Sequence, residues 1–210
     1  MKQYLLYIDI LTSGFINCAK MWQELFRMWI KDIQAQIDHG DFLCHESLKE
    51  LFSKPDNRFL TFNYTKTLQA LYGIKKVIHI HNRVGQNLIF GHGLDNVTYA
   101  SCIGDDTGPC LGSSFLDDMV MSFKKDTQLP LKKYDKFFKN LTIEVDKVYS
   151  YGFSYGKVDS IYIKKIINSI SKDAVWYFTV SETQNINSLR TKKIKLRRWG
   201  FNGIFGIFEG

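Results

Sequence analysis

From Arg58 onward, short β-prone runs alternate with helical stretches, and this alternation restricts the fold more than any other feature of the sequence. Residues 58–62 form an apolar, β-prone run, and residues 66–71 read as one or two helical turns stopped by Gly73. Residues 76–81 and 87–90 read as strands. Residues 115–140 are largely helical, with a break near Pro130. A strand over 147–152 leads to a helix over 159–171, with Ile161, Ile163, Ile166, Ile167 and Ile170 on and around its apolar face. A strand over 174–180 and a helix over 182–189 follow. Strands alternating with helices argue for βα units and a parallel sheet. The expected class is α/β, a Rossmann-like parallel sheet with flanking helices. Ligands of such sheets lie beyond the carboxyl ends of the strands, so the residues leaving those ends carry the functional reading.

Ahead of this region the pattern is helical. From Ala19 to about Asp38, apolar residues recur in steps of three and four: Trp22, Leu25, Phe26, Trp29, Ile33 and Ile37. That spacing predicts one amphipathic stripe with both tryptophans in the core. Gly40 is the expected stop. A second short helix is expected over 47–53, ended by Pro55-Asp56-Asn57. There is no internal repeat and no low-complexity linker, and three prolines leave no Pro-rich break, so residues 1–210 are read as a single domain.

Hydrophobic content of 45% and aromatic content of 15% are those of a globular protein and argue against disorder. No apolar run reaches the roughly 18 residues of a membrane span. The opening MKQYLLYIDILTSG is interrupted by Asp9 and lacks a small-residue cleavage site, so no signal peptide is expected. Cys18, Cys44, Cys102 and Cys110 form no CxxC pair, which points to reduced cytosolic thiols and no metal. Both Cys102 and Cys110 fall in a Gly-, Asp- and Ser-rich stretch over 98–112, read as a loop. The net charge of +7 gathers partly in RTKKIKLRR, from Arg190 to Arg198. This segment is expected to be a solvated edge strand whose charges discourage edge pairing. The alternative is a contact to nucleic-acid phosphates.

At the end of the first strand stand Thr61, Asn63, Tyr64 and Thr65. Asn63 offers an amide donor and acceptor that could hold a ribose hydroxyl or a water; it could also cap the next helix. In KVIHIH, alternation puts His79 and His81 on one face. His81, at the tip, is the candidate general base, and His79, one pleat inside, is expected to be a buried structural histidine. His92, between Gly91 and Gly93, ranks below His81. The turn Gly152-Phe153-Ser154-Tyr155-Gly156 could present backbone N–H groups to phosphate. Asp159 is expected to cap the helix that follows.

The ordered set TFNYT, IHIHN, IFGHG and YGFSYGKVDSIY resembles the AbiH family of bacterial phage abortive-infection proteins, over roughly residues 59–178. That family in turn resembles Sir2-like NAD-binding proteins, in which a Thr-x-Asn strand end, a His-Gly strand end and a Gly-x-Ser turn follow one another. Thr61-Phe62-Asn63, His81-Asn82 and Gly152-Phe153-Ser154 match these, with Asn82 where the pattern has Gly. The family's opening Gly-Asn-Gly-Phe-Asp segment is not matched, and Ser13-Gly14-Phe15 is a faint echo of it. The resemblance therefore implies a domain lacking its first βα unit. It also implies a cytoplasmic anti-phage protein that binds NAD, as substrate, and cleaves the nicotinamide–ribose bond without a metal. His81 would be the base and Asn63 would position ribose or water, with Thr61, Tyr64, Gly152, Ser154 and Asp159 contacting the nucleotide. A non-catalytic nucleic-acid-binding or sensing module, and an inactive truncated family member, are the alternatives. A homo-oligomer is a further partner open to it.

Overall fold

The computed structural model describes residues 2–94, 111–142 and 144–209. Helix α1 (Lys2–His39) and α2 (Glu46–Phe52) lead into β1 (Phe59–Thr61), α3 (Thr67–Tyr72) and β2 (Val77–His79). After α4 (Leu111–Ser122), α5 (Gln128–Lys133) and α6 (Asp135–Lys139) come β3 (Lys147–Ser150), α7 (Ser160–Ile167) and β4 (Val175–Thr179). Then α8 (Val180–Thr183), α9 (Ile186–Arg198) and β5 (Ile204–Phe208) complete the described chain. The class is α/β, as the alternation predicts, and every described ladder is parallel. The strands form two sheets, β1-β2 and β3-β4-β5.

Local chemistry sets the element ends. Gly73 takes a φ of +67°, and its N–H closes the last turn of α3 on Gln69 and Leu68. Thr179 and Glu182 form a capping box that turns the chain from β4 into α8. Asn185 Oδ1 accepts from Ser188 N at 3.0 Å and starts α9.

Two apolar clusters hold the layers together. One gathers Tyr155, Ile163, Ile170, Ala174, Trp176, Phe178, Leu196 and Phe201 between β4, α7 and α9. The other joins Ile80, Phe138, Leu141 and Tyr162. Phe62, Val145 and Ile166 pack against both. Inside the first cluster, Tyr155 is fully buried and takes a φ of +56°, unusual for a bulky residue. Its hydroxyl donates to Ser150 Oγ at 2.7 Å and accepts from Trp176 Nε1 at 2.8 Å. Burial holds this phenol well above its ordinary pKa, so it stays a neutral donor.

Several elements differ from the sequence reading. Helix α1 runs far beyond residues 19–38 because no Pro interrupts it before Gly40, which ends it at a φ of +93°. Its apolar residues divide between two faces. Ile30 and Ile37 are buried, whereas Trp22 and Trp29 are 72% and 58% exposed, so neither tryptophan is core. Residues 87–90 form no strand. They are pinned by Ile89 N donating to His81 O and Tyr64 Oη donating to Ile89 O, without a ladder. RTKKIKLRR is not an edge strand but the body of α9. There Leu196 is buried and Ile194 is 42% exposed, so the two do not share a face as strand alternation would require.

The break in the middle helical region lies before α5, and Pro130 is the third residue of α5, in the first turn, where its missing N–H costs nothing. Strand β5 was not expected. Its Gly206 lies beside Tyr177 in register, with the ring 2.5 Å from where a Cβ would stand. Cys18 and Cys44 are free thiols, while Cys102, Cys110 and most of the expected 98–112 loop lie outside the described residues. No described helix is long and apolar enough to cross a membrane.

Replacing Tyr155 by Phe strands the Trp176 indole N–H and the Ser150 hydroxyl in the core. We expect a loss of about 1–3 kcal/mol, measured as a lower urea midpoint with an unchanged slope. A loss under about 0.5 kcal/mol would remove this hydroxyl from the list of structural bonds.

Candidate functional site

The carboxyl ends of β1, β2 and β3 each turn sharply, and each turn has a local cause. After β1, Asn63 N donates to Thr61 Oγ1 at 3.1 Å, folding the chain over its own strand end. After β2, Asn82 takes a φ of +62° and its N–H donates to His79 O at 3.0 Å. Asn tolerates this left-handed region better than any residue but Gly, so the Asn at 82 makes the turn that Gly would make. Lys133 Nζ donates to Asn82 Oδ1 at 2.7 Å and holds that turn from α5. After β3, Gly152 takes a φ of +63°. The first and third turns meet where Phe62 stacks on Phe153, ring centroids 4.2 Å apart.

The two strand histidines have different surroundings. His79 is buried, with Nδ1 3.2 Å from Asn63 O and Nε2 2.8 Å from Gln69 Nε2. A carbonyl at Nδ1 and an amide donor at Nε2 fix the neutral tautomer protonated on Nδ1. Burial pulls the pKa of His79 below its ordinary value, despite the bond to Asn63. It is a structural histidine. His92 is also tied down: Nε2–H donates to Val120 O at 2.7 Å, and Nδ1 accepts from Leu94 N at 3.2 Å.

His81 is 3% exposed and enclosed by the rings of Phe62, Tyr64 and Tyr162, with centroids 5.4 to 6.0 Å away. Its Nε2 lies 3.1 Å from Asp159 Oδ1, close but off the line of a good hydrogen bond. Lys125, 8% exposed, donates to the same oxygen at 2.8 Å. Asp159 holds the N-cap position of α7 without making the expected capping bond, because its carboxylate turns inward to the His81 imidazole and the Lys125 ammonium. Burial alone would raise the Asp159 pKa; the approach of His81 and the bond from Lys125 outweigh it and hold the carboxyl below its ordinary value. The Tyr64 phenol is pushed up to about 12, first by burial and then by the Asp159 charge. Tyr162 is raised by the same two causes, and its buried hydroxyl has no hydrogen-bond partner among the described residues.

The structure thus brings His81, Tyr64 and Asp159 together and adds Lys125 and Tyr162, which sequence reasoning missed. Nothing in FKKDT separates the buried Lys125 from its neighbour. Tyr162 follows Asp159 by three residues, one helical turn, a spacing that could have drawn attention to it. Asn63, Gly152 and Ser154 are all exposed. Asn63 does not cap α3, whose N-cap is Lys66. Thr61 acts locally, as the acceptor that shapes the Asn63 turn. Among the described residues no cluster of His, Cys, Asp and Glu could hold a metal ion.

A carboxylate facing Nε2 favours the tautomer with its proton there, leaving Nδ1 as the basic atom of His81. The site therefore sets an enclosed imidazole 3.1 Å from a fixed negative charge, a geometry open to general-base chemistry.

Converting Asp159 to Asn leaves the Lys125 ammonium buried without its counter-charge. The expected cost at pH 7 is about 3 kcal/mol or more. Because the folded carboxyl titrates below 3.8, its contribution is complete above about pH 4 and is lost as pH falls through the lower, folded value. Urea unfolding between pH 3 and pH 7 should show the gap between wild type and variant closing in acid; a gap independent of pH contradicts the assignment.

A family model described as Bacteriophage abortive infection AbiH matches residues 6–180. No curated protein and no solved structure matches the chain.

Proposed function

Since the chain belongs to the AbiH family of bacteriophage abortive-infection proteins, we propose that it serves anti-phage defence by binding NAD or a related nucleotide and hydrolysing its N-glycosidic bond. The observation that carries this reading is the enclosed His81–Asp159–Lys125 cluster at the ends of parallel strands, where ligands of such sheets lie. In this reading His81 accepts a proton from a ribose hydroxyl or from water. Asp159 orients the imidazole and stabilises its charged form, and Lys125 keeps Asp159 ionised. Asn63, exposed at the neighbouring strand end, positions the ribose or the attacking water. The turn from Gly152 to Ser154 supplies contacts to phosphate or ribose, and Thr61 and Tyr64 complete the wall. The buried, unmatched hydroxyl of Tyr162 suits a ribose hydroxyl as partner. This likeness to Sir2-type chemistry is part of the proposal.

Phe62, Tyr64 and Tyr162 close around His81, so turnover needs that aromatic roof to open. Slow turnover in resting protein and faster turnover during infection are expected. General-base catalysis contributes on the order of 10²- to 10⁴-fold, so His81→Ala should lower nicotinamide release by that factor while the fold survives. Release is measured by chromatography on purified protein and on lysates of infected cells expressing each form. Equal release by both forms, or none in either setting, sinks the enzymatic reading.

Helix α9 favours a second reading, nucleic-acid binding. It carries six basic residues, Arg190, Lys192, Lys193, Lys195, Arg197 and Arg198, and no acidic one. Three are held by polar contacts: Lys192 pairs with Glu182, Lys195 donates to Tyr155 O, and Arg197 donates to Phe201 O; Lys193 Nζ lies over the Phe205 ring. Arg190, Lys193 and Arg198 line a groove floored by Ile186, Leu189 and Ile194. Three phosphate contacts give a log–log salt slope of about −3 on duplex and somewhat less on single strands. Filter binding to a single-stranded RNA between 50 and 200 mM salt, roughly the range over which such contacts weaken, should show that slope. It should flatten when Arg190 and Arg198 become alanine. No binding at the low-salt end removes this reading.

A further inference from the structure

We propose that the outer face of α1 is a dimer interface and that its occupant is the same face of a second copy of this chain. Helix α1 has two apolar faces. The inner one, Phe26, Ile30, Ile33 and Ile37, turns toward the body of the protein; Ile30 and Ile37 are buried and Phe26 packs on Tyr64 and Phe90. The outer one carries Phe15, Cys18, Trp22, Leu25 and Trp29, in steps of three, four, three and four. That is a 3.5-residue period, the repeat of a helix whose seam faces another helix. Met21 and Met28, seven residues apart, flank the seam, and the exposed Asp32 closes it.

The exposure on this face is large. Phe15, Met21, Trp22, Leu25, Met28 and Trp29 are between 51% and 72% exposed in the single copy. Scattered exposed apolar side chains are ordinary, but six on one helical face make a contiguous patch of the kind that marks an interaction site. At those exposures the six present on the order of 700 Å² of apolar surface, close to the roughly 800 Å² each partner contributes to a standard interface. Two tryptophans at its centre supply the aromatic anchors on which such interfaces depend.

A second copy is the occupant that fits these features. A helix seam of 3.5-residue period is matched by another such seam, and a two-fold axis sets the patch against itself. The flanking charges are of both signs: Lys20 and Lys31, with Glu24 and Asp32. Two copies therefore do not repel, and the face lacks the excess of Lys and Arg by which a helix lies on an anionic membrane.

The test is the mass in solution. Sedimentation equilibrium of the full chain should give twice 24.5 kDa at micromolar concentration. Trp22→Glu with Trp29→Glu should weaken the dimer at least a hundredfold, leaving single chains that still unfold cooperatively. A second measurement needs no variant: dilution of the wild type through the dissociation range should shift tryptophan emission to the red as Trp22 and Trp29 become wet. A single-chain mass at every concentration, a two-chain mass unaltered by both substitutions, or a single chain that sediments with phosphatidylserine vesicles overturns the proposal.

Discussion

Among the described residues the strands of the two sheets exchange no hydrogen bonds, so side-chain packing sets their relative placement, with the stack of Phe62 on Phe153 at its centre. Each ring leaves the carboxyl end of a different strand, one from β1 and one from β3. Offset aromatic pairs add only about 0.5–1.5 kcal/mol beyond the area they bury. Their weight here is geometric. Phe62 also belongs to both apolar clusters, together with Val145 and Ile166, so the same side chain fills the seam between the layers and aligns the polar turns above it. That contact brings the turns after Thr61 and Ser150 onto one surface.

The charged cluster depends on the same enclosure. Phe62 is one of the rings that shut His81 away from water, and burial makes the ionic contacts strong and costly at once. An isolated carboxylate in such surroundings would take up a proton. Asp159 is held in its ionised form because Lys125 and His81 reach one of its oxygens, the ammonium by a hydrogen bond and the imidazole by close approach alone. Three ionisable groups held this way do little for stability, since well-packed apolar residues of similar volume would often hold the fold as well. Their value is therefore in what they can do. A buried carboxyl whose pKa is shifted by the groups facing it, beside a strand end, is a recurring mark of functional sites.

Much of this was legible in the sequence, for definite reasons. β1, β2, β3 and β4 carry short apolar runs bounded by turn residues, and α3 and α7 follow them with helical spacing. Strand polarity predicts a buried, hydrogen-bonded His79, as the structure has it, but it also puts His81 at an open tip, and His81 is just as buried, because Phe62, Tyr64 and Tyr162 close over it. The failures share a cause as well. Asp159 carried a strong local signal for capping, and a tertiary contact with Lys125, 34 residues away, overrode it. RTKKIKLRR offered a two-residue alternation, but Asn185 and the buried Leu196 commit it to a helix. Lys125 itself is invisible in the sequence, because a lysine is read as solvated unless its burial is known. β5 hides because Gly203 and Gly206 look like breakers. Both are required by close neighbours: a Cβ at Gly203 would meet Ala174 O at 2.0 Å, and one at Gly206 would strike the Tyr177 ring.

In α1, periodicity alone misleads. Apolar residues at 22, 25, 26, 29, 33 and 37 fit one stripe on a helical wheel, and nothing in the spacing says which of them meets the core. Packing against Tyr64 and Phe90 selects Phe26, and with it Ile30 and Ile37, and turns Trp22, Leu25 and Trp29 outward. The choice has a consequence for the site. Phe26 meets Tyr64 edge-on at 5.4 Å, and Tyr64 lies 6.0 Å from the His81 ring. One helix therefore presents its inner face to the roof of the histidine cluster and its outer face to solvent. Anything that fixes or displaces α1 through the outer face acts on a helix in direct contact with that roof, which gives an enclosed site a physical means of responding to assembly.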